Sequence, residues 1–422
     1  MNQKKAFYII ITGIVLFVIL LGGYFWLSSK KEQAGGAGDL IDYLPFGKSQ
    51  RGNLPATKPG TKDPITQEPI EEKPIPRLRQ LTTYPVAGIQ GVSEKIPATE
   101  TELEKNTPTA IYVAKDTGFI FKQSLVSTGE KKVSSLTIPN THEALFNSTG
   151  TAVLFRYVKP GSETIESYSG KINSFSELSQ INNIVGTFFP QNISSTAFLS
   201  NGTKLVYGIP STPSGSIWTT STSGGSDKKQ AFSSAFTEWL VEWPTEGKMF
   251  FTTKASGGIP GFTYELNIVS GEFNKVIGNI PGLTSKINQN SALLLFSRSG
   301  ETGITLNVLD IAKQTVLQTG LQTLTEKCVW AKDMITAYCA VPNSLEIVQY
   351  PDSWYQGLVS FSDSIWAINS STGITKLVVN ILSNENKEID AVSLALDPEE
   401  KYLLFVNKKD GTAWSYRLGS SE

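Results

Sequence analysis

The chain of 422 residues carries one histidine, two cysteines and 38 carboxylates, and this inventory bounds its chemistry. A lone imidazole, His142 in "IPNTHEALF", cannot build a histidine-rich metal centre, and two cysteines that can pair with each other leave no thiolate ligands for zinc. No G-x-S-x-G turn is present to activate a serine beside His142. No P-loop or G-x-G-x-x-G stretch is present to cradle a phosphate. His142 therefore reads as a structural residue beside a strand entry, and no cofactor or metal is expected. What remains is carboxylate chemistry, in which a pair of Asp or Glu side chains from distant segments flanks a glycosidic bond.

Binding chemistry has a sharper candidate. "YPDSWYQG" sets Tyr350, Trp354 and Tyr355 within six residues, with Pro351 and Gly357 to restrict and turn the chain around them. Tyr and Trp are the side chains most enriched at binding hot spots, and long inserted loops on rigid scaffolds are where function tends to sit. The same rings could instead fold back and give the loop a small core of its own. Lys and Arg total 37 against 38 acidic residues, so there is no basic footprint for nucleic acid.

These residues must be positioned by a repeat. Hairpins recur whose turns are rich in Asn, Asp, Gly and Pro: "ALFNSTGTAVLFRYV", "AFLSNGTKLVYGI", "VEWPTEGKMFFTT", "INQNSALLLFS", "VWAKDMITAYCAV" and "LALDPEEKYLLFV". A third strand follows each, as in "GSIWTTS", "DSIWAIN" and "GTAWSYR". Its anchors are Phe121, Ile165, Trp218, Tyr264, Leu306, Trp366 and Trp414, spaced by 44, 53, 46, 42, 60 and 48 residues. A fourth apolar run comes next in every period but the last. Four antiparallel strands in roughly 40–50 residues make a propeller blade, so the sequence predicts an all-β, seven-bladed β-propeller with the anchors as plugs between blades. Stacking of Trp218, Trp366 and Trp414 on carbohydrate is the alternative use of those rings.

The count also predicts a closure. The last period stops after its third strand, and an extra run, "RLRQLTT" at Arg77–Thr83, precedes the first period. Pairing it with Thr412–Leu418 supplies the missing fourth strand and removes two open sheet edges. Within blade six, a four-residue turn at Lys332–Ile335 places Cys328 opposite Cys339, at a spacing a disulfide spans. The alternative is two buried thiols serving as small core residues. Two insertions break the period. Ser93–Pro108 reads as a solvated acidic loop in blade one. Pro342–Ser362, which carries the aromatic cluster, joins the second and third strands of blade six.

The N-terminus is of another kind. Ala6–Leu27 is 22 residues without a charge, long enough to span a bilayer core. Its length and the lack of a nearby cleavage site favour an uncleaved anchor over a signal peptide. Residues 1–31 thus read as a single-pass membrane anchor and 32–76, with seven prolines, as a flexible linker. Residues 77–422 form the propeller, expected outside the cytoplasm.

The turns Trp243-Pro244-Thr245-Glu246-Gly247 and Trp330-Ala331-Lys332-Asp333-Met334 resemble those of TolB-type and WD-repeat propellers, although the Trp-Asp pair itself is absent. With its anchor, linker and "DSWYQG" segment, the whole chain resembles uncharacterised membrane-anchored propeller proteins of candidate-phylum bacteria. That resemblance implies a bacterial envelope protein and supplies no activity. The expected function is binding or scaffolding of another envelope protein or glycan. The alternative is an extracytoplasmic, carboxylate-dependent hydrolase of glycosidase type. Convergent carboxylates at one mouth of the ring would favour the hydrolase, and a broad aromatic face would favour binding.

Overall fold

The computed structural model describes residues 74–96, 104–172, 184–222, 224–225, 227–301 and 303–419. The expected anchor and most of the expected linker lie outside them. The described residues form seven four-stranded antiparallel sheets, each following chain order except the last, which runs from Leu78–Gln80 to Ala413–Arg417, Tyr402–Asn407 and Ala391–Leu396. We number the sheets as blades 1–7 in chain order. Their first strands are Val86–Ile96, Thr141–Phe146, Thr196–Phe198, Trp239–Thr245, Thr284–Ile287, Cys328–Trp330 and Ala391–Leu396. The first strand of blade 1 touches those of blades 2 and 7, that of blade 4 those of blades 3 and 5, and that of blade 6 that of blade 7, so first strands line a central channel.

Burial across each blade explains the sequence pattern. Second strands lie between neighbouring blades on both faces and read as continuous apolar runs. Every residue of Tyr402–Asn407 is buried, as are four of six in Lys204–Ile209. Fourth strands form the outer edge and are polar, fully exposed in Glu130–Lys132. Tyr112, Phe155, Tyr207, Phe250, Phe251 and Phe405, all on second strands, are among the large rings most completely removed from water. The third-strand anchors are less uniform. Leu306 and Trp414 are buried, while Phe121, Ile165, Trp218, Tyr264 and Trp366 are half-buried. The recurring phrase has a further local cause. Trp218 donates its indole N–H to Ser216 Oγ and Trp414 to Thr412 Oγ1, both at 2.8 Å, so a hydroxyl two residues before the ring satisfies it.

The hairpin turns share one backbone solution. Gly150, Gly202, Ser291, Met334 and Glu400 have φ between 56° and 75°, and each donates its N–H back to the carbonyl three residues earlier. Asn147, Asn288 and Asp397 then accept backbone N–H groups from beyond the turn, which fixes the register of the returning strand.

The ring closes as the sequence indicates. Leu78 pairs with Tyr416, Arg79 with Ser415 and Gln80 with Trp414. The insertion Ser93–Pro108 departs from the expected loop. Pairing continues along it from Ser93↔Pro108 to Ile96↔Lys105, extending the first hairpin of blade 1 as an exposed arm. Its strands carry little apolar periodicity because neither face meets the core, so pattern alone does not reveal them.

In blade 6, Cys328 stands opposite Cys339 with Cα atoms 4.1 Å apart, and the two sulfurs are bonded. The closed loop is short, a sequence separation of 11, so chain entropy alone limits its contribution to about 3 kcal/mol. Non-reducing mass spectrometry is expected to show no free thiol, and reduction should lower the melting point without abolishing folding. Two alkylatable thiols in native protein would remove this bond from the account.

Candidate functional site

The segment Pro342–Ser362 folds into a cap over the face of the ring where second strands turn into third strands. Its base is closed by the Asn343 N–H donating to the Ser362 carbonyl at 2.8 Å. Midway it forms a four-residue helix, α1 (Asp352–Tyr355). Tyr350, Trp354, Val359 and Phe361 turn inward and pack with Ile304 and Leu324. The Trp354 and Phe361 rings lie nearly parallel, 10° apart, with centroids at 5.8 Å.

A buried charge cluster holds this core down. Lys327 is fully buried. Its ammonium donates to Asp390 Oδ1 at 2.5 Å and to the Ala391 carbonyl at 2.9 Å, and lies 2.8 Å from Asp363 Oδ2. It also sits 5.3 Å from the centroid of the Trp354 ring and 5.2 Å from that of Phe361. The second oxygen of Asp390 accepts the Trp354 indole N–H at 2.9 Å and the Phe361 backbone N–H at 3.0 Å. Burial opposes ionisation of Asp390, but Lys327 and these donors outweigh it and hold the carboxyl below its usual range. At Asp363 burial wins and raises the carboxyl to about 6, with Lys327 opposing.

From this base the cap reaches three other blades. Ser299 of blade 5 donates to the Tyr350 carbonyl at 2.6 Å, and the Gly257 N–H of blade 4 donates to Asp352 Oδ2 at 2.7 Å. Lys408 of blade 7 donates to the Trp354 carbonyl and lies 4.0 Å above the ring. The Tyr355 hydroxyl points down and donates to Glu326, just before the first strand of blade 6. Burial, then the Glu326 carboxylate, push that phenol well above the tyrosine range, although the ring itself is 40% exposed.

Inside the channel, first-strand side chains of blades 4 and 5 bring Glu242 and Lys286 together electrostatically, and Glu326 of blade 6 also feels Lys286. Burial raises Glu242 to about 7, with Lys286 and the Ile287 N–H opposing. The sign of the consequence is fixed. Between 4.5, the ordinary value, and about 7 the folded chain binds the proton more tightly than the unfolded chain, so this group costs stability as pH rises through that window. Because Glu242 is partly in contact with channel water, the cost is on the order of 2 kcal/mol. Glu242→Gln is expected to melt like the parent at pH 4 and to be more stable by that amount at pH 8. Equal stability at both pH values would show that the carboxyl is solvated like any surface glutamate.

Beside the cap lies a groove of about 900 Å³. Its walls are Phe236, Trp239, Ile259, Phe262 and Tyr264 around blade 4, and Tyr355 from α1. Tyr264 stacks on Phe273, 10° from parallel at 4.8 Å, which makes the floor rigid. Two carboxylates reach the rim, and both are occupied. Glu238 lies 3.7 Å from the Lys254 ammonium, and Asp352 holds the Gly257 N–H.

No protein-family model matches the sequence, and no curated protein matches it. Among solved structures, the chain is similar to an oligogalacturonate lyase in complex with manganese, at 11% identity and a TM-score of 0.51, covering 80% of this chain and 99% of that one. It is similar at lower scores to TolB from Acinetobacter baumannii (10% identity, TM-score 0.42, 68% of this chain and 62% of that one). The β-propeller domain of the Trilobed protease from Pyrococcus furiosus gives 11% identity and a TM-score of 0.47 over 79% and 96%. The chain spans 62% of the length of that TolB. The fold is a β-propeller. Identities this low carry the architecture and nothing of activity.

On this propeller the three aromatic residues singled out in the sequence part company. Tyr350 (1% exposed) and Trp354 (4%) form the cap's own core, and only Tyr355 presents its ring to the groove. His142 is exposed at the start of its strand. The sequence reading missed Lys327, Asp363 and Asp390, which are scattered over 63 positions and meet only through blade packing. It also missed the groove, whose residues read as ordinary strand aromatics. The one available signal was a charged residue directly before an apolar first strand, at Lys327 and Asp390.

Proposed function

We propose that this propeller is a membrane-tethered, extracytoplasmic binding module that docks another envelope component, protein or glycan, in the groove between blade 4 and the cap. One observation carries the reading. Phe236, Ile259 and Tyr355 are exposed around a concave, aromatic-walled space beside a polar rim, the composition of a binding pocket rather than of ordinary surface. The tether rests on the uncharged run Ala6–Leu27 and the proline-rich segment after it.

A photo-crosslinking residue at Ile259, introduced in cells, should capture a discrete partner, protein or glycan. The same residue at Val269, on an exposed turn, should not. Tyr355→Ala should abolish that capture while costing about 1.5–3 kcal/mol of stability, since it loses one hydrogen bond to a carboxylate from a half-exposed ring. Equal capture from both positions, or capture that survives Tyr355→Ala, would remove the groove from the account. The second reading, a carboxylate-dependent hydrolase, draws on Glu242, whose raised carboxyl lies in the channel with Lys286. It requires a glycosidase activity that Glu242→Gln eliminates.

A further inference from the structure

One chamber of the central channel leaves two charged groups short of partners. It encloses about 440 Å³ and reaches the turns between first and second strands, on the face opposite the cap. Leu145, Phe146 and Phe198 wall one side, and Glu242, Trp243 and Lys286 the other. The Lys286 ammonium has no carboxylate within 4 Å among the described residues, only the longer-range attraction of Glu242 and Glu326. Both oxygens of Glu242 share a single backbone donor, the Ile287 N–H, at a long 3.3 Å. The Trp243 indole nitrogen also lacks an acceptor, but it is closed off from the chamber and offers it no donor. Blade 6 shows what that position does when satisfied. Trp330, in the equivalent turn, donates its indole to the Lys286 carbonyl at 3.1 Å.

A cationic donor and an under-satisfied carboxylate lining one chamber define their complement. Buried polar groups without partners are costly, and buried charges more so. A simple anion on Lys286 would meet the field of Glu242 and Glu326. A simple cation on Glu242 would meet that of Lys286. By contrast, the Glu143–Arg156 pair of blade 2 is closed at 2.6 Å and offers no free charge. We propose that the chamber binds a small zwitterion of the amino-acid or dipeptide class, its carboxylate on Lys286 and its ammonium on Glu242. The apolar wall of Leu145, Phe146 and Phe198 then receives short side chains.

The test is calorimetric titration of the full-length chain with dialanine, its N-acetyl form and its C-terminal amide. Dialanine should bind saturably, and each capped form about tenfold more weakly or worse, the equivalent of one lost charged contact. Lys286→Met should erase the difference between dialanine and its amide. Glu242→Gln should erase the difference between dialanine and its acetyl form. The comparison of capped and uncapped ligands uses the unaltered protein, so the test survives a variant that folds poorly. No binding of dialanine up to about 10 mM, or equal binding of the capped forms, overturns the proposal.

Discussion

Lys327→Met is expected to cost about 3–5 kcal/mol, the penalty of leaving buried carboxylates without their counter-charge. Asp363 and Asp390 both face the missing ammonium, and Asp363 Oδ1 already has no partner. The variant should also loosen the cap, because Asp390 joins the Trp354 indole and the Phe361 N–H to that lysine. The pH dependence follows from the same geometry. In the parent, Asp390 titrates below its ordinary value, so its contribution is present above about pH 4 and fades below it. Without Lys327 both carboxyls should titrate high, since burial is then unopposed by the ammonium. The damage is therefore largest at pH 8 and shrinks toward pH 4, where the carboxyls can be neutral. Adding Asp363→Asn and Asp390→Asn to Lys327→Met should recover part of the loss, since neutral polar groups are cheaper to bury than unpaired charges. Urea melts at the two pH values decide it. A loss below about 1 kcal/mol at pH 8 would mean that water reaches the cluster and the ions are not truly buried.

What could be read from the sequence was what depends on near neighbours in the chain. A hairpin writes its own signature: two apolar runs around a turn with Asn or Asp at its start and a left-handed residue at its end, as at Asn147–Gly150 or Asp397–Glu400. Repetition of that unit fixes the blade count, and the leftover strand fixes the closure. The register that opposes Cys328 and Cys339 is equally local, set by the turn between them. The cap shows where such reading ends. Its aromatic cluster was visible, but whether a ring points in or out depends on what lies beneath it. Trp354 turns inward because Asp390, 36 residues away and in another blade, offers its indole an acceptor. Tyr355 keeps an exposed ring because the helix places its hydroxyl over Glu326. The extended arm at Ser93–Ile96 escaped notice for the opposite reason, being held by backbone pairing alone with no core face to impose a pattern.

A chain beginning at residue 85 should be less stable than one beginning at residue 77 by about 5 kcal/mol, because those eight residues carry the closing strand. Leu78 and Leu81 are both buried, and burial of a leucine contributes about 1.5–3 kcal/mol each. They pack into different clusters. Leu78 joins Trp414 and Tyr416 against Ile365 and Val379 of blade 6, whereas Leu81 joins Ala413 against Tyr112 of blade 1. One short strand thus connects blades 6, 7 and 1. Backbone bonds add to this, with the Arg417 N–H donating to the Arg77 carbonyl and the Leu81 N–H to the Ala413 carbonyl, both at 2.8 Å. Removing the strand leaves Ala413–Arg417 as an open edge, which invites pairing between molecules. The shorter chain should therefore aggregate on warming as well as melt earlier. A synthetic peptide of residues 77–84 should restore part of the melting point by adding itself as the fourth strand. In the intact chain, Leu78→Ala and Leu81→Ala should each cost about 2–3 kcal/mol and add nearly independently, since the two side chains occupy separate clusters. If the chains from 77 and from 85 melt together, the first and last blades hold the ring through their own contact, between Val86–Ile96 and Tyr402–Asn407, and the strand is an ornament on its outer edge.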